Sequence, residues 1–184
     1  MNYKDHIAAW TDCKRCPLSD RVIFPRGKIP AEVLYLAKSP DDAALTLRRP
    51  FPNDAIFEAL LPPKRWCIDN LLGYDVPKSA PSFIVAFMVS CRYEKDIIDL
   101  KAAMTACWPK VLEVIQLAKP KLIICLGQLV HNFVIMQRMT PALRSQAVIS
   151  VPAIDWFHQR TPEELALHLK KAQLKIKESC VRYC

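Results

Sequence analysis

Short apolar runs alternate along this chain with segments of helical periodicity. Four runs, at residues 32–37, 82–89, 122–126 and 148–151, are rich in β-forming residues. This composition predicts four buried strands. The run at 82–89 is apolar almost throughout, which is typical of a strand that is covered on both faces in a parallel sheet.

Helices are predicted where apolar residues recur every three or four positions. The longest covers residues 100–118, and a second, at the end of the chain, runs from Thr161 to about residue 179. Thr161, Pro162 and Glu164 predict its start, because they form a capping box with proline at the first helical position. Shorter helices are predicted at 4–10, 55–61 and 129–136, with a loop at 13–30 and a turn at 39–42. The buried stripe of the longest helix is predicted to be Leu100, Met104, Cys107, Val111 and Ile115.

Strands that alternate with helices predict an α/β fold. We expect a three-layer α/β/α arrangement with a central, mainly parallel four-stranded sheet, and a single domain over residues 1–184. Ligands of such sheets bind beyond the carboxyl ends of the strands. Here those ends are residues 38–41, 91–92, 127–128 and 152–156.

Composition and charge narrow the function classes. The net charge is +8 with a pI near 9.1, which favours a polyanionic partner such as nucleic acid, although a generic basic surface would look the same. With only three glycines, the chain lacks a glycine-rich nucleotide loop, so no nucleotide cofactor is expected. No membrane association is expected either, and the absence of a signal-peptide core predicts a cytoplasmic location, with the nucleoid or nucleus as alternatives.

Eight cysteines are many for a reducing compartment, where clustered thiols indicate metal binding more often than disulfides. Cys13 and Cys16 are separated by two residues, Cys91 ends a predicted strand, and Cys107 lies on the long helix. Together they predict a four-thiolate site for zinc or for an iron–sulfur cluster. The lack of a second close pair favours the cluster. We expect the lone residues Cys67 and Cys125 to be small buried hydrophobes.

Several segments resemble the iron–sulfur uracil-DNA glycosylases of the family-four branch. Residues 13–18 (Cys-Lys-Arg-Cys-Pro-Leu) resemble that family's opening motif, residues 31–36 its first strand, and Pro50-Phe51 the pair whose ring stacks on a flipped base. Residues 120–127 are similar to its strand ending in Leu-Gly, and Cys91-Arg92 and Cys107-Trp108-Pro109 fall at its third and fourth ligands. The resemblance implies a [4Fe-4S] cluster on Cys13, Cys16, Cys91 and Cys107, and a fold that binds DNA.

The catalytic motifs of that family are altered in this chain. Lys38 stands where the family has the acid that positions water, and Phe87 stands where it has the base-reading Asn. The His-Pro motif, whose His stabilises the departing uracil, appears as Val151-Pro152. Removing one such polar group costs on the order of a hundredfold in rate, so the three losses together predict that uracil excision is nearly abolished.

We therefore expect a DNA-binding protein without catalytic residues, acting in replication or repair or docking on a DNA-processing protein. Trp156 and Phe157 are predicted either to enter the duplex or a protein partner, or to pack in the core. The remaining pocket and phosphate-contact candidates are Lys38, Pro40, Arg48, Arg49, Phe51, Phe87 and Arg160.

Two alternatives stay open. One is an active glycosylase with a rearranged site, in which Asp41 or Asp42 replaces the missing acid and His158 the missing His. The other is a protein-interaction module, such as a processivity subunit or an inhibitor. DNA affinity that falls steeply with salt would distinguish DNA binding from the latter.

Overall fold

The computed structural model describes residues 2–18, 22–61, 65–69, 75–79, 81–138 and 140–184, with the backbone alone for 65–69, 75–79 and Ala142. Its helices are α1 (Tyr3–Trp10), α2 (Asp42–Leu47), α3 (Ala55–Leu60), α4 (Leu100–Ala118), α5 (Gln128–Met136), α6 (Ile154–His158) and α7 (Pro162–Tyr183). Its strands are β1 (Arg26–Gly27), β2 (Val33–Ala37), β3 (Arg65–Asp69), β4 (Asp75–Ser79), β5 (Phe83–Phe87), β6 (Leu122–Leu126) and β7 (Ala147–Val151).

The main sheet has the strand order β1-β5-β2-β6-β7. The last four strands in this order are parallel to one another, and Val33 pairs with both Phe83 and Leu122 in the central register. β1 is antiparallel to β5, so the sheet is mixed and five-stranded. The α/β class is confirmed. The prediction of four strands in this sheet is wrong, because it lacks the edge strand β1.

β1 escaped prediction because its two residues are exposed and carry no apolar pattern. Gly27 makes its pairing possible. With φ at +144°, Gly27 adopts a conformation that other residues rarely take, and a Cβ there would lie 2.4 Å from the carbonyl oxygen of Phe83. A glycine is therefore required for the close approach of β1 to β5.

Side chains alternate between the two faces of the sheet, as the strand period of two requires. On β2, Leu34 and Leu36 join the core beneath α4 and α5, while Tyr35 joins the opposite core beneath α3, α6 and α7. Helices thus cover both faces. The carboxyl ends of β2, β6 and β7 lie together at one edge, where the parallel topology predicts a ligand.

Predictions for long or strongly apolar elements are confirmed. The bounds of α4 and β6 agree with the sequence pattern, and the capping box of Thr161 and Glu164 starts α7, which continues beyond the predicted residue 179. The pattern missed the short helices α2 and α6 and the antiparallel strand pair β3–β4. Cys125 is buried as predicted, and the side chain of Cys67 lies outside the described residues.

Among the described residues, no helix has both the length and the apolar character needed to cross a bilayer.

Candidate metal centre and candidate nucleic-acid interface

The four cysteines singled out by their spacing meet in one region of the structure. Cys91 follows β5, and Cys107 lies in the middle of α4. Both are buried in the core between the sheet and the helices α4 and α5. Cys16 packs against the same core, and Cys13 is half-buried. Each of Cys13, Cys16 and Cys107 lies close enough to Cys91 to interact with it electrostatically.

Burial dominates the acidity of the two inner thiols. It raises the pKa of Cys91 to about 12, while the nearby Lys110 ammonium lowers it and the other three thiols raise it. The pKa of Cys107 is also raised by burial and lowered by Lys110 and by a backbone hydrogen bond from Ser90. Such thiols stay protonated at neutral pH unless a cation compensates the thiolate charge, which a bound metal does directly.

The segment that carries Cys13 and Cys16 is anchored through α1. His6 and Trp10 project from α1 toward Glu113 on α4, and both bond the same carboxylate oxygen, His6 through Nδ1 at 2.8 Å and Trp10 through Nε1 at 2.6 Å. His6 is fully buried. The guanidinium of Arg15 lies over the Trp10 ring at 4.8 Å. Because Cys107 and Glu113 share α4, this contact brings the first cysteine pair beside the fourth cysteine.

The donor set suits a metal bound by sulfur. Four thiols, a buried cationic side chain and an apolar surround are the chemistry found around zinc–sulfur and iron–sulfur centres. In the described part of the chain, no group of three or more His, Cys, Asp or Glu side chains is arranged to hold a metal ion. The four thiols match the group implied by the sequence in chemical type and in their common location, and not in a formed coordination geometry.

A cavity of about 400 Å³ lies at the carboxyl ends of β2, β6 and β7. Its wall contains the segment from Lys38 to Asp41, which follows β2, and Gly127 and Gln128, which follow β6. Phe51 and His158 close other sides. The cavity therefore occupies the edge at which the sheet topology predicts ligand binding. Cys91-Arg92, the other predicted strand end, is not part of this wall.

The three catalytic candidates, Asp41, Asp42 and His158, each bond to another residue of the chain. Asp41 caps α2 by accepting a hydrogen bond from the Ala44 N–H at 2.7 Å. Asp42 forms an ion pair with Arg92. His158 bonds through Nε2 to Asp54 Oδ2 at 2.9 Å, and Asp54 also caps α3. Of the three, Asp41 and His158 line the cavity and Asp42 does not.

The aromatic candidates Phe51 and Phe87 lie against each other. Their ring centroids are 5.5 Å apart, and Phe51 also stacks on Phe57 at 4.5 Å. Phe87 is buried, whereas Phe51 is half-buried and forms part of the cavity wall. Phe51 has a φ of +43°, an uncommon conformation for a bulky residue that fixes its ring in this stack.

Trp156 and Phe157 have different environments, although they are neighbours in α6. Phe157 is fully buried in the core, so core packing applies to it rather than the predicted contact with a duplex or a partner. Trp156 is half-buried, with the Arg160 guanidinium 4.2 Å from its ring centroid and His168 packed edge-on. The two rings still meet edge to face, with centroids 5.4 Å apart, and Trp156 packs against the core that contains Phe157, so α6 buries the two aromatics to different depths.

Of the predicted phosphate contacts, Lys38 lines this cavity, whereas Arg48 lines a separate cavity beside β1. Lys38 lies in the cavity wall and is 3.9 Å from Asp155. Arg48, at the end of α2, is exposed, and the neighbouring Arg49 donates to Asn53 at 2.9 Å. The Nε atoms of Arg49 and Arg160 are buried without a hydrogen-bond partner. Pro40 is buried and contributes an apolar surface to the cavity.

Sequence reasoning missed three residues: Glu113, Lys110 and Asp54. Glu113 and Asp54 act on partners that are distant in the chain, whereas Lys110 lies three residues after Cys107, and none of the three belongs to a motif. The only signal in the sequence was the position of Lys110, one turn after Cys107 within an apolar helix stripe.

Neither a scan against protein-family models nor a search of the curated proteins finds a match for this chain.

Proposed function

We propose that this chain is a DNA-binding protein with a uracil-DNA glycosylase-like fold and a structural [4Fe-4S] cluster, and that it lacks uracil excision activity. The observation that carries the proposal is the meeting of Cys13, Cys16, Cys91 and Cys107 beside one α/β sheet. The order and neighbours of these cysteines are those that the resemblance requires. Zinc is the alternative metal.

The role of the cluster is structural in this proposal. Cys13 and Cys16 belong to the segment after α1, Cys91 to the end of β5, and Cys107 to α4. A group held by all four thiolates would join three parts of the chain that otherwise meet through side-chain packing. When bound, the cluster would supply iron–thiolate bonds, and their free energy would offset the entropy cost of ordering the segment that carries Cys13 and Cys16.

DNA binding is supported by two cationic side chains. Lys38 offers an ammonium group in the cavity wall, and Arg48 is an exposed cation at the end of α2. Such contacts give affinity without sequence readout. Trp156, held by Arg160, is the aromatic side chain available for stacking on an exposed base.

The loss of excision is supported by the cavity wall. Lys38 occupies the position of the missing acid and faces Asp155. Phe87 fills the position of the base-reading Asn with a buried ring against Phe51. A flipped uracil would meet apolar surface where hydrogen bonds to its edge are needed.

The first experiment measures metal and activity in one anaerobic preparation. We expect about four irons and four sulfides per chain, a brown colour, and no abasic sites after incubation with uracil-containing single- or double-stranded DNA. A colourless protein that contains zinc would overturn the cluster assignment. Abasic product would overturn the loss of activity.

A second experiment tests the interface. Arg48→Ala combined with Arg49→Ala should weaken DNA binding and reduce the salt slope by about one for each phosphate that the variant no longer neutralises. The matched control is Lys170→Ala with Lys171→Ala, which removes two charges from the outer face of α7. Equal effects of both pairs, or affinity insensitive to salt, would favour a protein-interaction module instead.

One observation favours an active enzyme as the second candidate function. Asp54 orients His158 at the cavity wall, and a carboxylate that fixes a histidine is a common arrangement in acid–base catalysis. In this alternative His158 would stabilise the departing base, and Asp41 would assist water. Abasic product that disappears in His158→Ala and persists in the control His131→Ala would establish it.

A further inference from the structure

Lys110 is the one lysine that the described part of the structure buries, with 4% of its surface exposed. It lies on α4 three residues after Cys107, and this spacing places both side chains on the same face of the helix. The surrounding core is otherwise apolar, with Val111, Val114 and Trp108 as neighbours along the helix. A lysine is almost never buried without a partner that compensates its charge.

The four cysteines supply that partner. Lys110 lies within electrostatic range of Cys107, Cys91, Cys13 and Cys16. It is therefore placed to meet the charge of the whole cysteine site rather than that of a single thiol.

The net charge of a metal centre on the four cysteines would account for the position of Lys110. Four thiolates around a dicationic core, either zinc or an oxidised four-iron cluster, carry a net charge of roughly −2. Burying such a charge beneath the sheet is costly unless a cation lies nearby. Reduction of a cluster by one electron adds a further negative charge, so a neighbouring ammonium stabilises the reduced form more than the oxidised form.

We propose that Lys110 is the charge-compensating residue of the metal centre and sets the reduction potential of its cluster. This inference rests on the proposed function, since it requires an anionic centre on the four cysteines. The Lys110 ammonium acts on the cluster through its electrostatic field and is not a metal ligand. Its expected effect is to make the cluster easier to reduce.

The test is a redox titration of the anaerobic holoprotein, followed by electron paramagnetic resonance. Lys110→Met keeps the approximate length of the side chain and removes the charge; Lys101→Met removes an exposed lysine from the same helix. We expect Lys110→Met to lower the reduction equilibrium constant at least tenfold, which is about 59 mV for a one-electron couple. Lys110→Arg and Lys101→Met should stay near the wild-type potential.

The outcomes separate the two proposals. Wild-type protein without iron overturns both the proposed function and this inference. A wild-type cluster whose potential is unchanged in Lys110→Met overturns this inference alone. If Lys110→Met assembles no cluster, the iron content of Lys110→Arg decides: wild-type content supports the charge role, and loss in both variants overturns it in favour of simple packing.

Discussion

The contact between α1 and α4 leads to a quantitative prediction about Glu113. Glu113→Ala removes the carboxylate that His6 and Trp10 share, at 2.8 Å and 2.6 Å. His6 is fully buried and its Nε2 has no hydrogen-bond partner, so the variant would leave the whole ring without a hydrogen bond. Trp10 would be deprived of the acceptor of its indole N–H as well.

The expected loss of stability in Glu113→Ala follows from the two hydrogen bonds that Glu113 accepts. A hydrogen bond to a charged group contributes about 1.5–3 kcal/mol, and a buried unpaired donor costs about 1–3 kcal/mol. The Glu113 side chain is 25% exposed, which reduces both terms through solvent screening. We therefore expect a decrease of about 2–4 kcal/mol in the free energy of unfolding, or about 4–16 °C in the melting temperature for a chain of this size.

A second consequence concerns the metal. If Cys13 and Cys16 hold the proposed cluster, loosening α1, which leads directly into them, should speed the release of iron to a chelator several-fold. Glu113→Gln retains one amide oxygen as an acceptor and should lie between Glu113→Ala and wild type in both measurements. A pure cavity effect would leave Glu113→Gln at the wild-type value, because glutamine fills nearly the same volume as glutamate.

The assay is thermal unfolding by circular dichroism, combined with the rate of iron transfer to a coloured chelator. Glu178→Ala, which removes an exposed carboxylate from α7, serves as the control and should change stability by no more than about 0.5 kcal/mol. A Glu113→Ala protein as stable as this control would refute the anchoring role of Glu113. Normal stability with rapid iron release would show that the anchor acts on the metal segment alone.

Three further predictions concern the fold. Thr161→Ala should lower stability by about 1 kcal/mol in urea unfolding, because it removes the cap of α7. Gly27→Ala should cost about 2 kcal/mol, because its Cβ would meet the Phe83 carbonyl oxygen. Burial raises the pKa of Cys125 to about 12. The unfolded thiol loses its proton at lower pH than the folded one, so wild-type stability should fall above pH 9 by up to about 1.4 kcal/mol per unit, and less steeply in Cys125→Val.

Each of these has a contrary result. Unchanged stability of Thr161→Ala would mean that the fraying of α7 costs nothing. A neutral Gly27→Ala would mean that β1 does not contribute to stability. Parallel alkaline profiles of wild type and Cys125→Val would assign the pH dependence to other buried groups, of which Tyr35 is one, because burial raises its pKa too.

The long elements follow from local information in the sequence. α4 repeats apolar residues at helical spacing over five turns, and β6 is a continuous apolar run between Pro120 and Gly127, so both have one favourable structure whatever surrounds them. Short elements lack that redundancy. α2 and α6 each complete little more than one turn, and their formation depends on the Asp41 cap of α2 and on core contacts made by Ala44 and Phe157.

Among the candidate-site residues, too, some follow from local sequence and others do not. Cysteine spacing singled out Cys13, Cys16, Cys91 and Cys107, because a close pair of thiols followed by two more is a pattern typical of metal ligands. It could not identify Glu113, whose partners precede it in the chain by more than 100 residues. The different burial of Trp156 and Phe157 was likewise invisible, since it depends on how α6 packs against the core.

Local patterns in the chain therefore determined the α/β class, the main strands and helices, and the set of cysteines, since periodicity and residue chemistry are properties of short segments. The folded structure was needed to decide that Gly27 admits a fifth strand, that Asp54 holds His158 at the cavity, and that Lys110 lies buried among the thiols. These are contacts between residues distant along the chain. Their energies depend on burial and on distances between side chains, which exist only after the sheet has brought its helices together.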